Sequence, residues 1–383
     1  MQSKICENCG GCCFRHLTET AYRQEKEKDF RYTLSKINNA TPQIDESIFI
    51  PDHCRRRAEL DFAYLKKELV LGFYKEKTHS LIDVPECPML DEKLNKLLPS
   101  LHEFLEQLCQ IKWQKKGKNK KMIPTSITSG TIKLLQADNG IDITIDTAEE
   151  LNLEHRLLIA EYLNKTEAIG RFSWTQNQKN AETIVSKISP ELHIKDCVID
   201  IPSGVFLQAS KQAETAMIEK VLNYIGNTSG KMVDLFCGLG TFTYPLAQIK
   251  GNTITSVDSF VPSLKGLKKA ICRNQLQNVN VVDRNLFKYP FDADDLKGVK
   301  VIVMDPPRAG AHEQCRAILK LAKEGVEMPE KIIFISCNPK TFVPDAQMLI
   351  EAGYCFTRVT MVDQFVYSKH QELIALFIRN SQP

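Results

Sequence analysis

The sequence predicts an α/β chain: a doubly wound, mostly parallel sheet over residues 206–383, preceded by an α+β part over residues 44–205 and a cysteine-bearing segment within 1–90. Three observations carry this. After Lys211, long helical segments alternate with short, very apolar runs at 232–236, 253–257, 299–304 and 331–336, the pattern of strands covered on both faces by crossover helices. Before that, residues 122–145 are β-branched and broken by Thr-Ser-Gly and Asp-Asn-Gly, which reads as strands joined by tight turns. The break falls at Pro202-Ser203-Gly204, and a chain of 383 residues is too long for one ordinary core.

Along the first half, 91–108 and 147–163 have helical spacing, whereas 168–174 and 183–188 alternate like strands. The lysine run at 115–121 is either a solvated loop or a phosphate contact. With 43% hydrophobic and 25% charged residues, the composition excludes collagen-like and disordered classes. A net charge of +3 is too small to draw polyanions by itself, so any nucleic-acid site must be a local patch.

The amino terminus, MQSKICENCGGCC, carries charge and cysteines where a secretory signal needs an apolar core. No run approaches the roughly 18 apolar residues of a spanning helix. A cytoplasmic chain without membrane contact is expected, and nothing points to an obligate protein partner. Thirteen cysteines fall below the density of a disulfide scaffold and in a reducing compartment would be thiols or metal ligands.

The first strand of the second half ends in Asp234-Leu235-Phe236-Cys237-Gly238-Leu239-Gly240-Thr241. Glycines at such a turn let the backbone approach a ligand in the crevice at the carboxyl ends of the strands. The third glycine of the dinucleotide fingerprint is missing and no Gly-Lys-Ser/Thr follows, which weakens dinucleotide and P-loop readings. One β-α-β step later the strand ends at Asp258, a carboxylate able to accept from both hydroxyls of a ribose. A purely structural turn is the bland alternative.

Two further strand ends deliver Asp305-Pro306-Pro307-Arg308 and Ser336-Cys337-Asn338-Pro339 to the same edge. Asp305 could be only a helix cap, and a lone cysteine after a strand is usually a small buried hydrophobe. Later, Glu372 precedes an apolar strand-like run, with His370 as a competing base; a solvated glutamate is the default for such a residue.

The glycine turn followed by an acid resembles the S-adenosylmethionine site of class I methyltransferases, a Rossmann-like fold. Taken in order, Asp-Leu-Phe-Cys-Gly-Leu-Gly-Thr-Phe, Met-Asp-Pro-Pro-Arg, Ser-Cys-Asn-Pro and the late His-Gln-Glu resemble the RNA 5-methyluridine methyltransferases. The resemblance implies Cys337 as nucleophile and Glu372 as base, with Phe236, Gly238, Gly240, Thr241, Asp258 and Asp305 around the cofactor. It also implies Gln208, in Phe206-Leu207-Gln208-Ala209-Ser210, where the family's Phe-x-Gln-x-Asn ends in asparagine. Whether Asp305 meets uracil or cofactor stays open. A thiolate suits this chemistry because its addition to carbon 6 of uracil makes carbon 5 nucleophilic, after which a base must remove the carbon-5 proton.

Cys6-x-x-Cys9-x-x-Cys12 is spaced for three thiolates on one metal, with a ferredoxin-like cluster and a zinc site as competitors. The resemblance implies a [4Fe-4S] cluster on Cys6, Cys9, Cys12 and Cys87, the last in Cys-Pro, with Cys13 adjacent and Cys54 a second candidate for the fourth position. The first spacing is shorter than is usual in the family. Arg55-Arg56-Arg57 resembles an arginine-rich strand start and is expected to touch RNA phosphates. Larger relatives carry an amino-terminal RNA-binding barrel for which this sequence leaves no room, so it looks most like the RlmC (RumB) type, acting on a uridine of 23S rRNA. Three alternatives stay in play: a tRNA 5-methyluridine enzyme, a non-covalent Asp-Pro-Pro methyltransferase, and an iron–sulfur sensor.

Overall fold

The computed structural model of the chain describes residue 9 and residues 11–75, 78–116, 122–179 and 181–380. Two compact units emerge: one of the described residues up to His16 with Pro51–Leu192 and Asp200–Gly204, the other of Leu17–Ile50, His193–Ile199 and Val205 onward.

The first unit is built on a seven-stranded mixed sheet in the order Glu182–Ser186, Ile169–Gln176, Gly140–Thr147, Ser129–Ala137, Arg57–Leu65, Glu68–Tyr74 and Leu81–Asp83. Helix Glu92–Gln110 starts on an Asp91 cap that accepts from Lys93 N. It buries Leu94, Leu97, Leu98, Leu101, Leu105 and Leu108 in the same core as Leu60, Leu71, Ile132 and Ile143 of the sheet. Apolar residues at three- and four-residue spacing give this helix the single face it buries.

The arginine triplet expected to touch RNA phosphates, Arg55–Arg57, is partly buried. Arg56 is only 4% exposed, and the Arg57 guanidinium is pushed down to about 10 by burial and by the charges of Arg56 and Arg55. Arg55 and Arg57 are half-buried and Arg56 is buried, so the middle arginine offers little surface to an external phosphate.

In the second unit the sheet runs Gln43–Ile44, Tyr354–Asp363, Glu372–Arg379, Lys331–Ser336, Val299–Met304, Lys231–Leu235, Thr253–Asp258 and Val279–Asp283, with Ile48–Phe49 also on Tyr354–Asp363. Strands from Val279–Asp283 through Lys331–Ser336 are parallel. Glu372–Arg379 is antiparallel to Lys331–Ser336, so its first residue lies at the carboxyl edge of the parallel strands. Chain order reverses between Lys231–Leu235 and Val299–Met304, and the crevice of such a sheet opens at that switch point.

Residues 17–50 belong to this unit rather than to the cysteine segment. Helix Glu19–Leu34 places Phe30 and Leu34 in the core of the second sheet, and the strands at 43–44 and 48–49 pair with Tyr354–Asp363. The helix also grips the segment leading to Glu372. Fully buried Lys26 pairs through Nζ with Asp363 Oδ1 at 2.8 Å and donates to the carbonyls of Ser368 and His370. Tyr22 donates to Asp363 and accepts from Tyr367 N, and Gln371 Nε2 donates to Lys26 O at 3.0 Å. A buried ammonium is tolerated only when paired and hydrogen-bonded in this way.

Candidate active site

Register brings the strand-end residues together. Leu235 is opposite Met304 and Met304 opposite Phe334, so Phe236 and Asp305 leave the sheet side by side; Asp305 N donates to Leu235 O at 3.3 Å. Ser336 is opposite Leu373 in the antiparallel pair, which sets Cys337, one residue after Ser336, against Glu372, one residue before Leu373. Asn338 caps helix Pro339–Glu351 by accepting from Lys340 N, and its Nδ2 donates to Arg308 O at 2.8 Å. The Ser-Cys-Asn-Pro loop is thereby tied to the Asp-Pro-Pro-Arg loop.

An amide chain links the carboxyl groups of this edge. Gln208 Nε2 donates to Asp305 Oδ2 at 2.9 Å. Gln364 Nε2 donates to Gln208 Oε1 at 3.1 Å and to Glu372 Oε2 at 2.6 Å. Burial pushes Asp305 up to about 7, against the Gln208 hydrogen bond. Burial and the Asp305 charge raise Glu372 well above the usual carboxyl range, while Gln364 and Arg308 oppose them. Burial first, then Glu372 and Asp305, push the Cys337 thiol up to about 11, with Arg308 pulling the other way. Glu372 is 2% exposed, unlike a solvated glutamate, whereas His370 is exposed and lies 3.3 Å from Arg308 through its ring nitrogen. A half-buried cysteine and two carboxyl groups thus share one edge of the sheet.

The glycine turn forms the adjoining part. Gly238 has φ +54, with open space where a Cβ would stand. Gly240 has φ +100, where a Cβ would lie 2.7 Å from Leu267 and 2.9 Å from Tyr244. Only glycine meets both demands at position 240. Phe236 itself has φ +60, and its ring lies 5.6 Å from that of Phe287. Asp258 Oδ2 accepts from Gly238 N at 2.9 Å, and Oδ1 accepts from Ser259 N and Phe260 N. Thr241 is half-buried on the same turn. Below it, Asp234 accepts from Thr243 while its buried Oδ1 has no partner among the described residues. Burial pushes Asp234 up to about 7. An open glycine cradle, the Asp258 carboxylate at the next strand end, an orphaned carboxylate oxygen and exposed Phe260 and Phe287 fit a cationic, adenosine-bearing cofactor. Ser210 is the cap of helix Lys211–Ile225, which places Gln208 just ahead of it.

The cysteine segment lies in the other unit. Cys9, Cys12, Cys13 and Cys87 are half-buried and Cys54 is buried. Cys87 is raised by burial and by the nearby Cys9, against Arg55. Cys6 lies outside the described residues, as does most of the lysine run, and among the described residues no group of three or more His, Cys, Asp or Glu converges as a metal site.

Gln364 and Arg308 escaped the sequence analysis. Arg308 ends a motif that was read, but its action on Cys337 depends on loop packing. Gln364 lies eight residues before Glu372 in a segment with no periodic signal.

Comparison with known proteins agrees with this geometry. Residues 18–380 match the family described as tRNA (Uracil-5-)-methyltransferase. An uncharacterised RNA methyltransferase of Agrobacterium fabrum is 32% identical over 370 residues, 96% of this chain and 82% of that protein. The 23S rRNA (uracil(1939)-C(5))-methyltransferase RlmD of Aliivibrio salmonicida is 30% identical over 387 residues, 99% of this chain and 82% of its own. The Pyrococcus abyssi tRNA (uracil-54, C5)-methyltransferase, solved with S-adenosyl-L-homocysteine, shares the fold at a TM-score of 0.72 and 21% identity, covering 99% of this chain and 87% of that one. Among the described residues no helix is long and apolar enough to cross a membrane. The chain belongs to the tRNA (uracil-5-)-methyltransferase family and is an S-adenosylmethionine-dependent RNA (uracil-C5) methyltransferase.

Proposed function

We propose that the chain methylates carbon 5 of a uridine in 23S rRNA through a covalent adduct of Cys337 with carbon 6 of the uracil, with Glu372 as the base. The observation that carries this reading is the register that sets Cys337 against Glu372 beside Asp305 and Gln208. Asp305 offers an acceptor and Gln208 Nε2 a donor, the complement of the N3–H and C4=O edge of uracil. The target base must leave its stack to reach them, at a cost of a few kcal/mol.

Bound S-adenosylmethionine supplies an electrophilic methyl group; Phe236, Gly238, Gly240, Thr241 and Asp258 would hold it. Cys337, once its thiol proton has passed to solvent, bonds carbon 6 through the Sγ thiolate, and the carbon 5–carbon 6 electron pair moves into the carbonyl as an enolate, making carbon 5 the nucleophile. Once carbon 5 carries the methyl, Glu372 takes its proton. The double bond re-forms and Cys337 leaves as thiolate.

Support for 23S rRNA comes from the names of relatives such as the Aliivibrio and Histophilus enzymes, both RlmD; the RlmC-type site is the other uridine to examine. Purified enzyme should place label from methyl-tritiated S-adenosylmethionine into unmodified 23S rRNA and leave unmodified tRNA unlabelled. Mapping the product by nuclease protection then separates uridine 1939 from the RlmC-type position, and labelled tRNA alone would refute the assignment.

We further propose a [4Fe-4S] cluster on Cys6, Cys9, Cys12 and Cys87, supported by the ligand spacing and by the proximity of Cys9 and Arg55 to Cys87. Protein purified without oxygen should be brown, with iron and sulfide in equal amounts. Cys87→Ser should lose colour and soluble yield together. Stoichiometric zinc in colourless protein would refute the cluster.

A further inference from the structure

We infer that Gln364 is a positioning residue for the carbon-5 base: anchored by Gln208, it aims one oxygen of Glu372 and favours its ionised form. This rests on the reading of Glu372 as that base. Gln364 is 1% exposed, and its Nε2 donates both to Glu372 Oε2 and to Gln208 Oε1, at 2.6 and 3.1 Å.

The direction of these bonds follows from what each group can do. An ionised carboxylate only accepts, whereas an amide offers two N–H donors and one acceptor. With Asp305 at one end and Glu372 at the other, the arrangement that serves both points Gln208 NH2 at Asp305 and Gln364 NH2 at Glu372. The carbonyl of Gln208 is then left to accept from Gln364, which is the bonding observed. Reversing the Gln364 amide would turn its Oε1 toward two acceptors. Its Oε1 has no partner among the described residues, so the orientation is set from the NH2 side alone.

The groups facing Glu372 make this donor consequential. Asp305 at the end of one strand repels its charge, Cys337 at the end of the next would do so once ionised, and among the described residues Arg308 is the charged neighbour that favours ionisation. Arg308 is exposed and also meets His370, whereas Gln364 bonds Glu372 directly inside the protein. A buried base that loses such a donor becomes harder to ionise.

Single-turnover release of tritium from RNA labelled at carbon 5 of the target uridine reads the proton-removal step. Gln364→Met has similar length and lacks the donor. It should release tritium about tenfold more slowly at neutral pH, with the acid limb of the profile moved up by about one pH unit and the rate recovering above it. Gln364→Asn, too short to reach both partners, should behave like the methionine variant if it proves better folded. Trapping of 5-fluorouracil RNA through Cys337 should persist in both. A parental profile, or a loss equal at every pH, would overturn the inference while leaving Glu372 in its role. Normal tritium release by Glu372→Gln in the same assay would instead remove the base assignment and this inference with it.

Discussion

Cys337→Ala should lose methyl transfer by roughly 10³-fold or more, within the range seen when a covalent nucleophile is deleted, and should fail to trap RNA carrying 5-fluorouracil at the target position. In the parent enzyme that RNA should yield a complex surviving denaturation, because fluorine at carbon 5 leaves no proton for the base to remove. The two results together separate covalent catalysis from a non-covalent Asp-Pro-Pro reaction, in which Cys337 would merely fill space and the alanine variant would keep most of its rate. Trapping should also have a defined pH dependence. With the Cys337 thiol pushed up to about 11 by burial and by Glu372 and Asp305, its thiolate fraction in the free enzyme rises about tenfold per pH unit below that value. Alkylation of Cys337, followed by peptide mass spectrometry, should therefore accelerate from pH 7 to pH 9. A rate that is flat over this range would mean that the thiol is already ionised, contrary to the charges around it.

The parallel sheet was legible because its strands are buried on both faces and write themselves as unbroken apolar runs. The site residues at their carboxyl ends followed from the same runs, since each motif begins where a strand stops. Helix Glu19–Leu34 was different. Its buried stripe is Tyr22, Lys26, Phe30, Thr33 and Leu34, and a lysine in the stripe makes a core-facing helix read as a solvated one. Its place depends on Asp363, more than three hundred residues away, and no local pattern encodes such a pair. Arg56 misled for the converse reason: three successive arginines read as phosphate contacts, but the middle one is buried just ahead of the strand that begins at Arg57. Gln364 was missed because a glutamine carries no charge or period, and its importance lies in two partners contributed by other segments. What sequence conveys well is thus the covalent order of strand ends; what it conveys poorly is the polar network connecting them.

Glu372→Gln should separate the two halves of the reaction. Glutamine keeps the size of the side chain and can still meet Gln364, but it cannot accept the carbon-5 proton, so the methylated adduct should accumulate and turnover should fall roughly 10²–10⁴-fold. Adduct formation should not fall with it. Once ionised, Glu372 is, after burial, the largest influence holding the Cys337 thiol un-ionised, so the substitution raises the thiolate fraction at pH values where the parent carboxyl has lost its proton and leaves it unchanged where burial keeps that carboxyl neutral. Incubating Glu372→Gln with ordinary uridine-containing RNA and methyl-labelled cofactor should thus give a labelled protein–RNA band on a denaturing gel without any fluorinated base. Alkylation of Cys337 in the free variant should be faster than in the parent at alkaline pH, where the parent Glu372 is ionised, and equal to it where that carboxyl is still protonated. His370, exposed and engaged with Arg308, provides the control: His370→Ala should turn over without accumulating adduct. If instead Glu372→Gln cycles normally and His370→Ala accumulates the band, the base is His370 and the buried carboxyl serves only to shape the pocket.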